Sequence, residues 1–272
     1  GREYLHGGIN SKGLLVTGLM LRGSQYPPND ARPVVSHAQY KQYLLDNCAT
    51  VEEVIKVQSN IRIYARNQKY PIHLFIGDTT GKCAVIEFLN GKMVVHSGDK
   101  LTANVLSNSD YAYSVDYLNE HKGFGGKKNV SKSHTNSLDR FVRASKMVQS
   151  YHKKSSAESV DYGFDILASV AQGNRTVWRI IYDVTNMRIY FRTLLNTNLQ
   201  YIDMQALNFS CDNPSLALDL NNTFSGDVSS HFKEYTQAIN QEFIMRMTNY
   251  YTLPEKILNA LLTHQYGMSC AQ

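Results

Sequence analysis

The residues of this chain whose types could do chemistry are few and widely spaced. Asn108 stands between Ser107 and Ser109 at the end of the apolar run Ala103 to Leu106, where a side-chain amide, donor and acceptor at once, can face a pocket. Arg140 and Arg143 lie near the start of a stretch with Leu138, Phe141, Val142, Ser145 and Val148 at helical spacing. The plain readings are an asparagine bonding its own turn and a solvated arginine pairing with Asp139 or Glu158. Cys48, Cys83, Cys211 and Cys270 form no C-x-x-C and have no histidine at ligand spacing, so neither a zinc site nor a dense disulfide framework is indicated. Cys83 falls inside a core-like strand, and the others sit in helical or loop contexts with no base nearby. His73 and His96 alternate within strands and read as satisfied core or surface histidines, not as ligands.

The elements that must position these groups are organised around Ile72 to Asn108. His73 to Ile76 and Ala84 to Phe88 are short, β-branched and aromatic, with Thr79-Thr80-Gly81-Lys82 as a hairpin loop between them. Asn90-Gly91 supplies the two positive φ values of a type I′ turn into Met93-Val94-Val95. Ala103 to Leu106 is expected to add an inner strand. Upstream, the turn-rich Gly7 to Gly13 leads into Leu14 to Leu21, a run suited to a strand buried on both faces. Asn10 reads as a turn residue and Asp78 as part of its hairpin.

Residues 22 to 36, with Pro27, Pro28 and Pro33, read as irregular; Tyr40, Tyr43, Leu44 and Cys48 mark a helix; Thr50-Val51-Glu52-Glu53 has the form of a capping box. The Gly- and Lys-rich stretch 122 to 135 reads as an exposed, mobile loop. Val160, Phe164, Leu167 and Ala171 predict a helix ended by Gln172-Gly173-Asn174, and 176 to 182 with 188 to 192 predict a hairpin around Asp183 to Met187. Tyr201 to Met204 adds a strand. The stripe Phe232, Tyr235, Ile239, Phe243 and Met247 predicts a helical tail, with Pro254 opening a last helix. Helix pairs alternating with antiparallel hairpins predict an α+β fold, in the form of a four-layer αββα sandwich.

Length and charge narrow the function. At 272 residues the chain fits one large core, and it is read as a single domain, 1 to 272. The net charge of +5 comes largely from Lys127, Lys128, Lys132, Lys153 and Lys154. With no aromatic-interleaved basic groove beside them, they describe a solvated face and not a nucleic-acid site; binding of anionic lipid or nucleic acid there is the minor alternative. The N-x-S/T matches at Asn129, Asn174, Asn208 and Asn221 carry little weight in a chain rich in Asn and Ser. No apolar run approaches the roughly 20 residues of a membrane span. The first residues hold no signal-like segment, so any export signal is expected outside this chain, in a bacterial cytoplasmic or periplasmic protein.

Gly8-Ile9-Asn10-Ser11-Lys12-Gly13-Leu14 resembles the G-[MVI]-N-[ES]-K-G-L motif of the choloylglycine hydrolase and penicillin V acylase family. The similarity continues through Thr50 to Val54, Asp78 to Lys82 with Ala84 to Glu87, Leu106-Ser107-Asn108-Ser109, and Asp139-Arg140-Phe141-Val142-Arg143, which is similar to the family's S-R-F-x-R. It covers about residues 7 to 204 in consistent order, leaving 205 to 272 as a helical C-terminal extension. The resemblance implies an N-terminal-nucleophile fold, hydrolysis of linear amide C-N bonds and no metal or organic cofactor. The substrates implied are N-acyl amides such as conjugated bile acids, penicillin V or acyl-homoserine lactones.

Residue by residue, the resemblance implies that Asn108 helps form the oxyanion hole and that Arg140 stands near the nucleophile. Met20 falls where relatives carry a second asparagine or a tyrosine; a methionine there donates no hydrogen bond and leans the acyl preference apolar, although a plain core methionine is the favoured reading of the residue itself. In the family the nucleophile is an N-terminal Cys whose own α-amine is the base, followed by an Arg and an Asp, and the resemblance begins after that region. Gly1 cannot take that role. The nucleophile is expected on an N-terminal polypeptide outside this chain, with a truncated or catalytically inactive relative acting as a binding module as the alternative. A homo-oligomer is also expected.

Overall fold

The structure is a computed structural model, and it describes residues 5–65, 71–152, 155–248 and 252–263. Lys153, Lys154 and Cys270 lie outside these residues. The chain opens with β1 (Gly7–Ile9) and β2 (Leu15–Met20), joined through a turn in which Asn10 is the hub. Its side-chain oxygen accepts from the Lys12 and Leu14 amides, and its Nδ2 donates to the Leu45 and Cys48 carbonyls at 2.8 and 2.7 Å. The sequence reading of Asn10 as structural holds.

A short strand, β3 (Val34–Ser36), precedes helices α1 (Tyr40–Asn47) and α2 (Val51–Val57), and pairs in parallel with β4 (Arg62–Tyr64). The Thr50 hydroxyl accepts from the Glu53 amide as expected, but the Glu53 carboxylate reaches back to the Ala49 amide, one residue short of a reciprocal box. Asp78 adds to this cap by accepting from the Val51 amide at 2.9 Å, besides closing its own turn through Thr80. Removing the cap hydroxyl in Thr50→Ala should cost about 1 kcal/mol, read as a lower urea midpoint with an unchanged slope.

Strands β5 (Ile72–Gly77), β6 (Cys83–Leu89) and β7 (Lys92–Ser97) form the expected meander, and Asn90 and Gly91 carry φ of 53° and 72°. The first sheet has the order β1-β2-β5-β6-β7. Strand alternation puts Leu14, Val16, Leu74, Ile76, Ala84, Ile86 and Phe88 on one face, where they bury Tyr40, Leu44, Val51 and Val54 of the two helices. Each fully buried Val, Leu, Ile or Phe among them contributes about 1.5–3 kcal/mol.

Ala103 to Leu106 is not a strand. The Tyr111 hydroxyl accepts from the Ala103 amide and donates to its carbonyl, both at 2.9 Å, so this backbone is satisfied by a side chain instead of a neighbouring strand. Helices α3 (Tyr111–Asn119), α4 (Ser137–Gln149) and α5 (Ser156–Ser169) follow. The first half of the loop between α3 and α4 folds back on α3: the Lys128 amide donates to the Glu120 carbonyl, and a Cβ on Gly126 would lie 1.9 Å from the Glu120 carbonyl carbon. Phe141, Val142 and Tyr111 pack with Val85 and Phe75 against the other face of the first sheet.

The second sheet comes from β8 (Trp178–Asp183), β9 (Arg188–Thr193) and β10 (Gln200–Asp203). Two-residue strands follow: β11 (Leu216–Ala217), β12 (Gly226–Asp227) and β13 (Lys233–Glu234), with sheet order β12-β10-β9-β8 and β11 paired to β13. One face of this sheet carries Ile181 against Gly163 of α5 and Arg192 over the Phe164 ring. The opposite face turns toward β1 and β2. Where β1 and β2 meet β8 the layers run α1/α2, first sheet, second sheet, α5, the αββα order expected from the sequence, while α3 and α4 cover β5 to β7 of the first sheet.

The tail differs from expectation. Helices α6 (Gln237–Thr248) and α7 (Glu255–Leu262) begin only after Thr236, and Pro254 is the cap residue before α7. Residues 205 to 235 are irregular with short strands, and lay Leu207, Leu218, Leu220 and Phe232 over Phe191 and Ile202 of the second sheet. No helix among the described residues is long and apolar enough to cross a membrane.

Candidate active site

Between the two sheets lies a cleft of about 620 Å³. From the first sheet it takes Gly7, Thr17 and Leu19; from the second, Trp178, Ile180 and Tyr182; from the helices, Leu167 and Arg140. Leu220 of the tail closes part of one side. β1 and β8, which face each other across it, are both edge strands. The lining mixes aliphatic and aromatic side chains with polar ones, His6, Thr17, Gln172 and Arg179 among them, so the cleft offers both apolar contact and hydrogen-bonding groups to a small molecule. Burial within it pushes the Tyr182 phenol above its ordinary pKa, so its hydroxyl stays neutral.

Asn108 and Arg140 meet at the rim. An Arg140 guanidinium nitrogen donates to the Asn108 Oδ1 at 2.9 Å, which identifies that atom as the oxygen, because an amide nitrogen could not accept. Asn108 Nδ2 then donates to the Met20 carbonyl at 2.9 Å. An amide nitrogen has two hydrogens, so one N–H is left to aim at a ligand. The Asn108 backbone amide donates to the Ser137 hydroxyl at 2.8 Å, tying this loop to the first turn of α4. Arg140 Nε is held by the Thr135 carbonyl at 3.1 Å.

The plain readings of these two residues fail. Asp139 accepts from Asn136, Tyr117 and His134, and Glu158 closes a full capping box with Ser155 at the head of α5. Arg140 therefore has no carboxylate partner among the described residues. Burial, with the neighbouring Arg143 charge, moves its pKa down from the ordinary arginine value, yet a guanidinium keeps its proton in a protein. An unpaired, half-buried cation beside a preset amide donor is an arrangement suited to an anion.

Met20 is placed otherwise than its expected role requires. By alternation its side chain shares the face of Leu14, Val16 and Gly18, the last lying under Lys41 of α1, and it is 40% exposed. Leu19, one residue earlier, points into the cleft. What Met20 gives the site is its carbonyl. The period-two pattern of β2 could have shown this, since Leu14 and Val16 already mark the helix-facing parity.

Nor do the described cysteines offer a nucleophile. Burial, with Glu53 adding to it, pushes the Cys48 thiol up to about 11, and burial with Asp78 raises that of Cys83. Cys211 is disulfide-bonded. A thiol raised in this way is mostly protonated at neutral pH and unreactive.

Behind the rim, the sequence reading missed a buried polar chain. His73 of β5 places Nδ1 2.9 Å from Glu87 of β6 and Nε2 2.7 Å from the Ser107 carbonyl. Glu87 also accepts from the Tyr111 amide, at the N-terminus of α3, and lies 3.3 Å from His96 Nε2. No group of metal-ligating side chains forms a candidate metal site among the described residues.

Two facing sheets covered by helices, with the polar rim at the cleft between them, define the fold of the N-terminal-nucleophile hydrolases. The family model for linear amide C-N hydrolases of the choloylglycine hydrolase family matches residues 2–139 and 132–217. A penicillin V acylase from Pectobacterium atrosepticum is 30% identical over 270 residues, covering 83% of this chain and 70% of that protein. Among solved structures, the penicillin V acylase of Agrobacterium tumefaciens superposes with a TM-score of 0.73 at 27% identity, over 85% of this chain and 77% of the other. A variant of the conjugated bile acid hydrolase of Clostridium perfringens shares the fold, with a TM-score of 0.62 at 20% identity over 86% and 77%. The chain belongs to the choloylglycine hydrolase family of linear amide C-N hydrolases.

Proposed function

We propose that this chain forms the oxyanion and acyl-binding part of an enzyme that hydrolyses N-acyl amides, with a cysteine nucleophile supplied outside residues 1–272. The observation that carries this reading is the rim pair: Arg140, with no carboxylate partner among the described residues, bonded to an Asn108 whose second N–H has no partner among them, at the mouth of the cleft. The inert state of Cys48, Cys83 and Cys211 supports a nucleophile from elsewhere. The open edges of β1 and β8 on either side of the cleft give added strands carrying it a place to pair.

In this mechanism the thiolate attacks the amide carbonyl, and the carbonyl oxygen becomes an oxyanion that accepts the free Asn108 N–H. Arg140 stabilises the thiolate before attack and the negative charge after it. Collapse breaks the C-N bond, the amine leaves with a proton from the protonated base, and water hydrolyses the acyl-enzyme. The acyl group lies against Leu19, Trp178 and Ile180, so the acyl contact expected of Met20 passes to its neighbour.

The experiment is a panel of N-acyl compounds, among them penicillin V, conjugated bile acids and acyl-homoserine lactones, given to the full-length protein. Release of free amine from at least one is the expected result. No release from any of them, with bound acyl compounds displaced intact, would instead describe a binding module. Removing the indole in Trp178→Ala should raise KM about ten-fold for bulky acyl groups and leave an acetyl amide little changed. Equal effects on both would remove Trp178 from the acyl site.

A further inference from the structure

His73 and Glu87 are both wholly buried. They face each other across β5 and β6, one step beyond the paired Leu74 and Ile86. The ring's two nitrogens have different neighbours. Nε2 faces the Ser107 carbonyl, which can only accept, so Nε2 carries a hydrogen. Nδ1 faces a Glu87 oxygen that already takes the Tyr111 amide proton. A hydrogen must also lie between Nδ1 and Glu87, because otherwise two lone pairs would meet in a dry interior.

The held atom is the carbonyl of Ser107, the residue before Asn108. Its hydroxyl is 2.9 Å from that of Ser137, which also accepts the Asn108 amide. Leu19 pairs with His73 on the side toward the cleft. His96 of β7 and Tyr111 of α3 complete the surround, with ring centroids 4.6 Å apart. A residue outside any strand is here held from beneath by the buried His73 ring, itself held by Glu87.

We propose that His73, oriented by Glu87, is a positioning residue that sets the Asn108 side chain by donating its Nε2 hydrogen to the Ser107 carbonyl. This rests on the reading of Asn108 as the oxyanion donor. A misplacement of the donor by about 1 Å is enough to cost on the order of 100-fold in rate. Substrate binding, which belongs to the cleft walls, is little affected.

The test uses the full-length protein. His73→Phe should lower kcat ten- to a hundred-fold at nearly constant KM, and Glu87→Leu should do the same. Glu87→Gln should retain most activity, since its amide can donate to Nδ1 and accept from Tyr111. His73→Gln keeps a donor to Ser107 and serves if the Phe variant fails to fold; it too should retain a substantial part of kcat. On an Asn108→Ala background, His73→Phe should add nothing. Losses that multiply, or a Glu87→Gln variant as impaired as Glu87→Leu, would overturn the proposal.

If the wild-type protein hydrolyses no amide, the reading of Asn108 fails, and positioning is then read from the Asn108 side-chain amide by NMR. Its two protons should give widely separated shifts in the wild type, set by the Met20 carbonyl and Arg140 contacts, and these should move toward free-asparagine positions in His73→Phe or, if that variant does not fold, in Glu87→Leu. Unchanged shifts sink the proposal on its own terms.

Discussion

Asn108→Ala should lower kcat of the full-length enzyme by about 10²–10³-fold, the usual cost of removing one preorganised oxyanion donor, equivalent to roughly 3–4 kcal/mol. The side chain is fixed on two sides, by Arg140 at its oxygen and by the Met20 carbonyl at its nitrogen. It therefore needs no reorganisation as negative charge develops. KM should change little, because a neutral amide carbonyl draws less from the donor than an oxyanion does. Stability should fall by about 1 kcal/mol, since the residue is half-buried and its partners can reach water. Asn108→Asp keeps the shape and the Arg140 contact but has no N–H, so it should be at least as slow. Steady-state kinetics on both variants, with thermal melts to exclude unfolding, checks this; a tenfold or smaller loss in kcat would remove Asn108 from the oxyanion hole.

The second large effect is expected at Arg140. Replacing it by Gln removes the unpaired cation at the rim while leaving a group able to reach the Thr135 carbonyl or Asn108. In the proposed mechanism its positive charge favours thiolate over thiol, so its loss should raise the nucleophile's pKa. The acid limb of the kcat/KM profile should move to higher pH, by about one unit or more for a charge within 4–6 Å. Below the limb the variant should be at least about ten-fold slower, and part of the loss should return as pH rises. Arg140→Lys restores charge without the two-point hold and should fall between. The measurement is a pH–rate profile of all three proteins. A loss equal at every pH would mean that Arg140 acts only by holding Asn108.

Much of this was legible in the residues. Asn90-Gly91 announced its turn because only residues tolerant of positive φ close a two-residue hairpin, and the Thr50 cap and the β8–β9 hairpin were equally local signals. The motif order around Asn108 and Arg140 pointed to the rim, and the structure brings those two side chains into contact. Ala103 to Leu106 misled because an apolar β-like run has the same composition whether its backbone meets a strand or the Tyr111 hydroxyl. The tail misled because the aromatic stripe from Phe232 continues in register with α6 although the helix begins only after Thr236.

The His73–Glu87 pair escaped notice because it joins single polar residues of two strands. The signal was present all the same. A hairpin turning at Thr79 to Lys82 places residues whose numbers share a constant sum opposite each other, and so sets His73 against Glu87.

The most direct test of the central claim is the intact mass of the denatured full-length protein after brief reaction with a slowly turned-over N-acyl amide or a thiol-directed acyl probe, followed by peptide mapping. A single acyl adduct on a cysteine outside residues 1–272, weakened in Asn108→Ala, is the predicted result. An adduct on Cys48 or Cys83, or no adduct from a substrate that is nonetheless hydrolysed, would contradict the account.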